Sequence, residues 1–183
     1  MTVKRLTAAD VTNLLGLEPN ATCGSVRVTF MSKMSVKPDG LPAPFADGRP
    51  LGSALYFLVT PQAPVRPHRI RNDQLYHYYL GDPLEVFLLH AGGTADRLIV
   101  GPDIAAGHRV QILIPGDTFH TARLLGEGEW FLGGSTEWPG VEPTKDVEIG
   151  NVEKLAEAHP AVAEEIRSIG ASIVDEGAPG GPR

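Results

Sequence analysis

The sequence predicts an all-β sandwich or barrel, and three observations carry that reading. Apolar and polar residues alternate over many short stretches, which is the two-residue period of a half-buried strand. Turn signals part these stretches every 8–15 residues or so, roughly the rhythm of an antiparallel sheet fold: Gly81-Asp82, Gly92-Gly93, Gly101-Pro102, Pro115-Gly116 and Gly126-Glu127-Gly128. The third is the content of 21 glycines and 16 prolines in 183 residues. That is about a fifth of the chain against an ordinary share of about 12%, and it disfavours long helices.

Taken in order, Thr7 can cap a short helix, with Asp10 closing a shortened capping box, Val11, Leu14 and Leu15 forming one apolar face and Gly16 ending it. Val26, Val28 and Phe30 then alternate with Arg27, Thr29 and Met31 as a strand. The stretch after Lys37, PDGLPAPFADGRPLG, is too rich in proline and glycine for regular structure but carries Leu41 and Phe45, which need cover. It reads as a long ordered loop, placed to lid a pocket mouth or to run over the surface. Strands are expected at 53–60, 74–80, 83–90, 97–100, 109–114, 118–124 and 129–135. Val152, Leu155 and Ala156, then Pro160 followed by Val162, Ala163 and Ile166, mark two short helices packed outside the sheet. Residues 1–174 read as one domain and 175–183 as a disordered tail, since Ala178 to Arg183 has nothing to bury.

Composition excludes several function classes. Lys and Arg number 16 against 22 Asp and Glu, a net charge of -6, so the positive field that a nucleic-acid partner requires is missing. The lone Cys23 permits neither an intrachain disulfide nor a multi-cysteine zinc site and fits a reducing, cytoplasmic setting; with no cationic neighbour it reads as inert. Met1 to Asp10 lacks the apolar core of a signal, and the longest apolar stretch, Ala54 to Val59, falls far short of the roughly 20 residues that span a bilayer. A soluble protein with no membrane partner is expected. Gly126-Glu127-Gly128 lies in an expected hairpin rather than before a helix, so no nucleotide cofactor is expected either.

The chemistry concentrates around His68. Even-numbered His68, Ile70, Asn72, Gln74, Tyr76 and Tyr78 share one strand face if no bulge intervenes. Polar and aromatic groups on a face where a plain core would carry valine and leucine point to a ligand cavity inside a small barrel. Arg66, two positions earlier, could grip a carboxylate or phosphate. Tyr56 and Gln111 either reach the cavity or belong to core and outer face respectively. His77 alternates onto the opposite face with Tyr79 and turns inward only through a bulge. Trp130 and Trp138 are assigned to core or to a dimer contact.

The segment resembles the first cupin motif in spacing, with His68, Ile70, Gln74 and Gly81 at its four positions, and Pro115 to His120 reproduces the spacing of the second. More closely, the chain looks like a branch of small cupins of poorly defined function with the pattern HRI-S-DE-W-H-Y-G, here HRIRNDQLYHYYLG. The LLGLEPNATCGSVR opening, the LYFLVTP strand and the GDTFHTA and WFLGGSTEWPG segments extend the likeness over about Val11 to Ile149. The resemblance implies a cupin double-stranded β-helix, or jelly roll, with a short N-terminal helix and C-terminal helical segments. Metal-binding cupins carry three histidines and a glutamate; this chain has Ile70 at the second histidine position and Gln74 at the carboxylate. A divalent Fe, Mn, Ni or Zn ion would therefore rest on His68, Gln74 and His120, with His77 added only if a bulge turns it inward, and its affinity should fall.

On this fold, His68 or His120 could take a proton from carbon beside a carbonyl while Tyr76 or Tyr78 delivers one, with Tyr56, Arg66, Gln74 and Gln111 holding the substrate. The expectation is an enzyme acting on a small polar or anionic metabolite by acid–base or metal-assisted isomerase, epimerase or lyase chemistry. A metal-dependent oxygenase and a non-catalytic small-ligand-binding protein are the alternatives. Cupins pair through outer sheet edges, and open edge strands need covering, so a homodimer is expected.

Overall fold

The computed structural model describes residues 5–174, and the tail expected at 175–183 lies outside the described residues. The chain opens with α1 (Ala8–Leu15), β1 (Glu18–Pro19) and β2 (Ser25–Met31), followed by two short strands, β3 (Ser35–Val36) and β4 (Arg49–Pro50). The body of the sandwich follows as β5 (Ser53–Val59), β6 (Val65–Ile70), β7 (Asp73–Gly81), β8 (Leu84–Leu89), β9 (Ala95–Val100), β10 (Gln111–Ile114), β11 (Phe119–Leu124) and β12 (Phe131–Trp138). It closes with α2 (Pro143–Asp146), β13 (Val147–Ile149), α3 (Val152–Ala158) and α4 (Ala163–Val174).

Two antiparallel sheets form, in the orders β1-β2-β5-β12-β7-β10 and β13-β6-β11-β8-β9, and β3 pairs with β4 apart from them. Alternation on each strand supplies the core between the sheets. Phe57, Val59, Tyr76, Ile112, Ile114 and Phe131 come from the first sheet and meet Val65, Leu84, Val86, Leu88, Ala122 and Leu124 from the second. Each large apolar side chain buried this way contributes roughly 1.5–3 kcal/mol. The result is a mostly β jelly roll, as the spacing of the turns predicts.

The helices cover outer faces. Thr7 and Asp10 close the expected capping box on α1, and Gly16 ends it at φ 60, the left-handed conformation glycine adopts without strain. Val11 and Leu17 then pack on Leu58 and Leu132 of the six-stranded sheet and on Trp130, which precedes β12. On the far side, Leu155, Ile166 and Ile169 of α3 and α4 seal Phe87 and Leu89 of the five-stranded sheet. Among the described residues, no helix is long and apolar enough to cross a membrane.

One expectation needs correcting. His68 to Tyr78 is not a single strand: β6 and β7 belong to opposite sheets, and the chain turns between them at Arg71 and Asn72. The Asn72 amide fastens this corner by donating to the Pro139 carbonyl at 2.7 Å. Because the turn consumes two residues, side-chain parity survives it. His68 and Ile70 face inward from one sheet, and Gln74 and Tyr76 face them from the other. The stretch after Lys37 is ordered by Arg49, whose guanidinium pairs with both carboxylate oxygens of Asp146 at 3.1 and 2.9 Å. The loop does not line the interior cavity described next, but the α2 segment it anchors does.

Candidate functional site

A cavity of about 440 Å³ opens between the sheets, within the range that small-molecule sites occupy. Val26, Leu55, Phe57, Ile70, Val147 and Ile149 form apolar walls, and His68, Gln74, Tyr76, Ser53, Ser135 and Glu137 supply the polar end. Among the described residues, no lysine or arginine lines it.

His68 on β6 stands directly across from His120 on β11 in the sheet register, and their ring centroids are 4.2 Å apart. His68 Nδ1 lies 2.8 Å from the Arg66 carbonyl, which can only accept. Nδ1 therefore carries the proton, and Nε2 is left as a lone pair at the cavity wall. His120 points its Nδ1 at the Thr118 carbonyl, 3.4 Å away, so the Tyr76 hydroxyl donates to His120 Nε2 at 3.0 Å. Burial pushes His68 down to about 4, with the Arg66 carbonyl opposing it. Burial also holds His120 well below the usual histidine range, with the neighbouring His68 adding to the effect, and raises the Tyr76 phenol well above 10. At neutral pH the array is two neutral imidazoles and a protonated phenol.

Glu137, which sequence reasoning passed over, is the buried carboxylate of this cavity. Ser53 Oγ donates to its Oε2 at 2.5 Å and Ser135 Oγ donates to its Oε1. Each hydroxyl is supplied in turn, Ser53 by the Val141 N–H at 3.2 Å and Ser135 by Gln74 Nε2 at 3.4 Å. Burial raises the Glu137 carboxyl, and the two hydroxyl donors pull it back toward ionisation. The direction of donation fixes the Gln74 amide and leaves its Oε1 buried without a hydrogen-bond partner. A signal for Glu137 was present: it shares strand parity with Phe131 and Ser135, which places a carboxylate on the inner face. Cys23 also lines the cavity, and burial raises its thiol to about 11, so it stays protonated.

Other sequence-predicted residues lie elsewhere, and His120 itself is fully buried outside the lining, joined to the cavity through its hydrogen bond with Tyr76. Tyr78 is not among the lining residues, and its hydroxyl donates to the Gly81 carbonyl at 2.8 Å. Tyr56 faces out, beneath α1 in a separate apolar groove with Tyr79 and Leu80. Gln111 is exposed and donates to His77 Nδ1 at 3.1 Å, while His77 Nε2 meets Thr136 Oγ1 at 2.9 Å, so both stand on the outer face. The bulge on β7 falls opposite Leu132 and Gly133, at Tyr79, too late to turn His77 inward. Arg66 loses the inner face because a register shift in β6 puts Val65, three residues before His68, into the core instead. Only its backbone contributes, through the carbonyl that orients His68.

The residues present do not fit a divalent ion. His120 Nε2 is committed to Tyr76, Gln74 offers a neutral amide, and among the described residues no cluster of three His, Cys, Asp or Glu side chains could hold a metal.

The family model described as "Cupin superfamily (DUF985)" matches residues 9–148. Among curated proteins none matches this chain. Among solved structures, a protein from Shewanella oneidensis is 24% identical with a TM-score of 0.78, covering 90% of this chain and 98% of its own. A hypothetical protein from Leishmania major is 22% identical at the same TM-score and the same coverage of 90% and 98%. A cupin-2 domain from Rhodospirillum rubrum is more distant, 16% identical with a TM-score of 0.52 over 84% of this chain and 90% of that one. The paired sheets, the interior histidines and the match over most of its length lead to one conclusion: this chain belongs to the DUF985 family of the cupin superfamily.

Proposed function

We propose that this protein is a cupin enzyme that moves a proton within a small polar metabolite, an isomerase or epimerase whose base is His68. The observation that carries the reading is the open Nε2 lone pair of His68 in the same cavity as Glu137. His68 Nε2 takes a proton from carbon beside a carbonyl while Nδ1–H stays on the Arg66 carbonyl. The Glu137 carboxylate offsets the imidazolium that forms, and Nε2–H then returns the proton to the adjacent carbon or the other face. The Tyr76 hydroxyl stays on His120, so Tyr76 shapes the cavity wall and takes no part in the transfer. A reducing, cytoplasmic setting is consistent with the single buried Cys23.

The burial of His68 favours a second reading, since a base near 4 is far from the optimum for proton transfer at neutral pH, and a ligand-binding protein without turnover needs no base. The two separate in deuterium oxide. Incubation with a panel of small hydroxy- and amino-carbonyl compounds, followed by proton NMR, should show deuterium entering at carbon beside the carbonyl. His68→Ala should slow that exchange by about 10²–10⁴-fold, the usual worth of a positioned base. Ligands that bind without exchange in the wild type would establish the binding reading instead.

A further inference from the structure

The lining of the cavity selects the charge of its ligand, an inference that rests on the reading of the cavity as a ligand site. Among the described residues that line it, Glu137 is the one charged side chain, and no lysine or arginine balances it. The hydroxyls nearest to Glu137 are committed: Ser53 and Ser135 donate to its carboxylate, and Tyr76 donates to His120. What remains open toward a ligand is a set of acceptors. The carboxylate has two of its four lone-pair positions free after the serine bonds. The Gln74 Oε1 atom is buried with no partner, and His68 Nε2 is an unprotonated nitrogen. Thr144, the Asn20 amide, the second N–H of Gln74 and the Cys23 thiol are the neutral side-chain donors left in the lining, and none is a cation. A carboxylate or phosphate entering this space would lose its hydration, meet a like charge and find no cation to replace the water. A cation would replace its hydration with acceptors that line the same cavity, and its carbon skeleton would lie on Val26, Leu55, Phe57 and Ile70.

We propose that the cavity binds a small organic ammonium ion, a protonated amine on an apolar body, with Glu137 and Gln74 accepting from the ammonium group and His68 Nε2 left free for the carbon skeleton.

Three probes of one shape test this on the full chain at neutral pH: benzylamine, benzyl alcohol and benzoate. Binding is followed by two-dimensional NMR, with the His68 ring and Gln74 amide signals as reporters of position. Benzylamine should shift those signals and bind at least 10-fold more tightly than benzyl alcohol, with benzoate weaker than both. Glu137→Gln should bring the ratio between amine and alcohol close to 1, whereas the wild-type ranking of the three probes stands without any variant. If benzoate binds as well as benzylamine, or all three bind alike at these signals, the ammonium preference is overturned and the cavity remains a ligand site. If no probe moves the His68 and Gln74 signals, the reading of the cavity as a ligand site falls, and this inference falls with it.

Discussion

His68 is neutral because of its surroundings, and that has a consequence for stability as well as for chemistry. In the unfolded chain the imidazole titrates near 6.5, and in the folded protein burial moves it to about 4. Between these values the unfolded state binds a proton that the native state refuses, so stability is full above pH 6.5 and falls as pH drops toward 4. A shift of this size amounts to about 3 kcal/mol once pH is below both values. Urea unfolding at pH 7.0, 5.5 and 4.5 should show that decline, and His68→Gln should make it shallower, with His120 carrying the remainder; an equally steep decline in the variant would show that His68 carries none of it. Burial disfavours the charged form of Glu137 as it does that of His68, but the pH dependence runs the other way. Its folded carboxyl titrates above the ordinary value, so ionising it as pH rises costs stability, and Glu137→Gln should gain on the wild type as pH rises through that range. Motif spacing made His68 and His120 legible from sequence. Glu137 was not singled out, because one glutamate in a strand tells nothing of its cover until the partner sheet is placed.

Among the elements, α2 depends on an ion pair formed across 97 residues of sequence. Arg49 of β4 and Asp146 of α2 are both buried, and their bidentate pairing ties the proline-rich stretch to the segment that lines the cavity through Pro143 and Thr144. Removing Arg49 leaves the fully buried Asp146 carboxylate without its cation, and Arg49→Met should cost about 3–5 kcal/mol in chemical unfolding. Replacing both in Arg49→Met/Asp146→Leu should recover much of that loss, since no lone charge remains. A cost below about 1 kcal/mol for the single variant would mean that the segment is held by other contacts. Neither partner is legible beforehand, since an arginine in a loop and an aspartate before a strand each read as solvated. The turn signals and alternation did mark β5 and β7 to β12, because those depend on neighbours in sequence. The corner at Arg71 and Asn72 was missed because unbroken inward parity hides a change of sheet.

At the scale of the molecule, exposed apolar side chains gather at one side of the sandwich. β1 pairs only with Ser25 and Val26, so Val28, Phe30 and Met31 lie along an open stretch of β2, with Met34 beyond it; Val28 and Met31 also line the cavity, whereas Phe30 and Met34 do not. We expect this face to be covered by a second copy in a two-fold homodimer. Light scattering should give about twice the 19.6 kDa of one chain, and Phe30→Glu should shift the population toward the single-chain mass. A single-chain mass for the wild type across a wide concentration range would overturn the dimer.

The sequence by itself determined a mostly β sandwich, its capped N-terminal helix, the two closing helices and the pair of interior histidines. Each follows from periodicity, turn chemistry or motif spacing along the chain. Only the tertiary structure decided that Arg66, Tyr56, Tyr78 and Gln111 stand away from the cavity, that Tyr76 serves His120, and that Glu137 is the charge inside. Those outcomes turn on one bulge, one corner and the facing of two sheets, which bring together side chains as far apart as Ser53 and Glu137 and are written in no single stretch of residues.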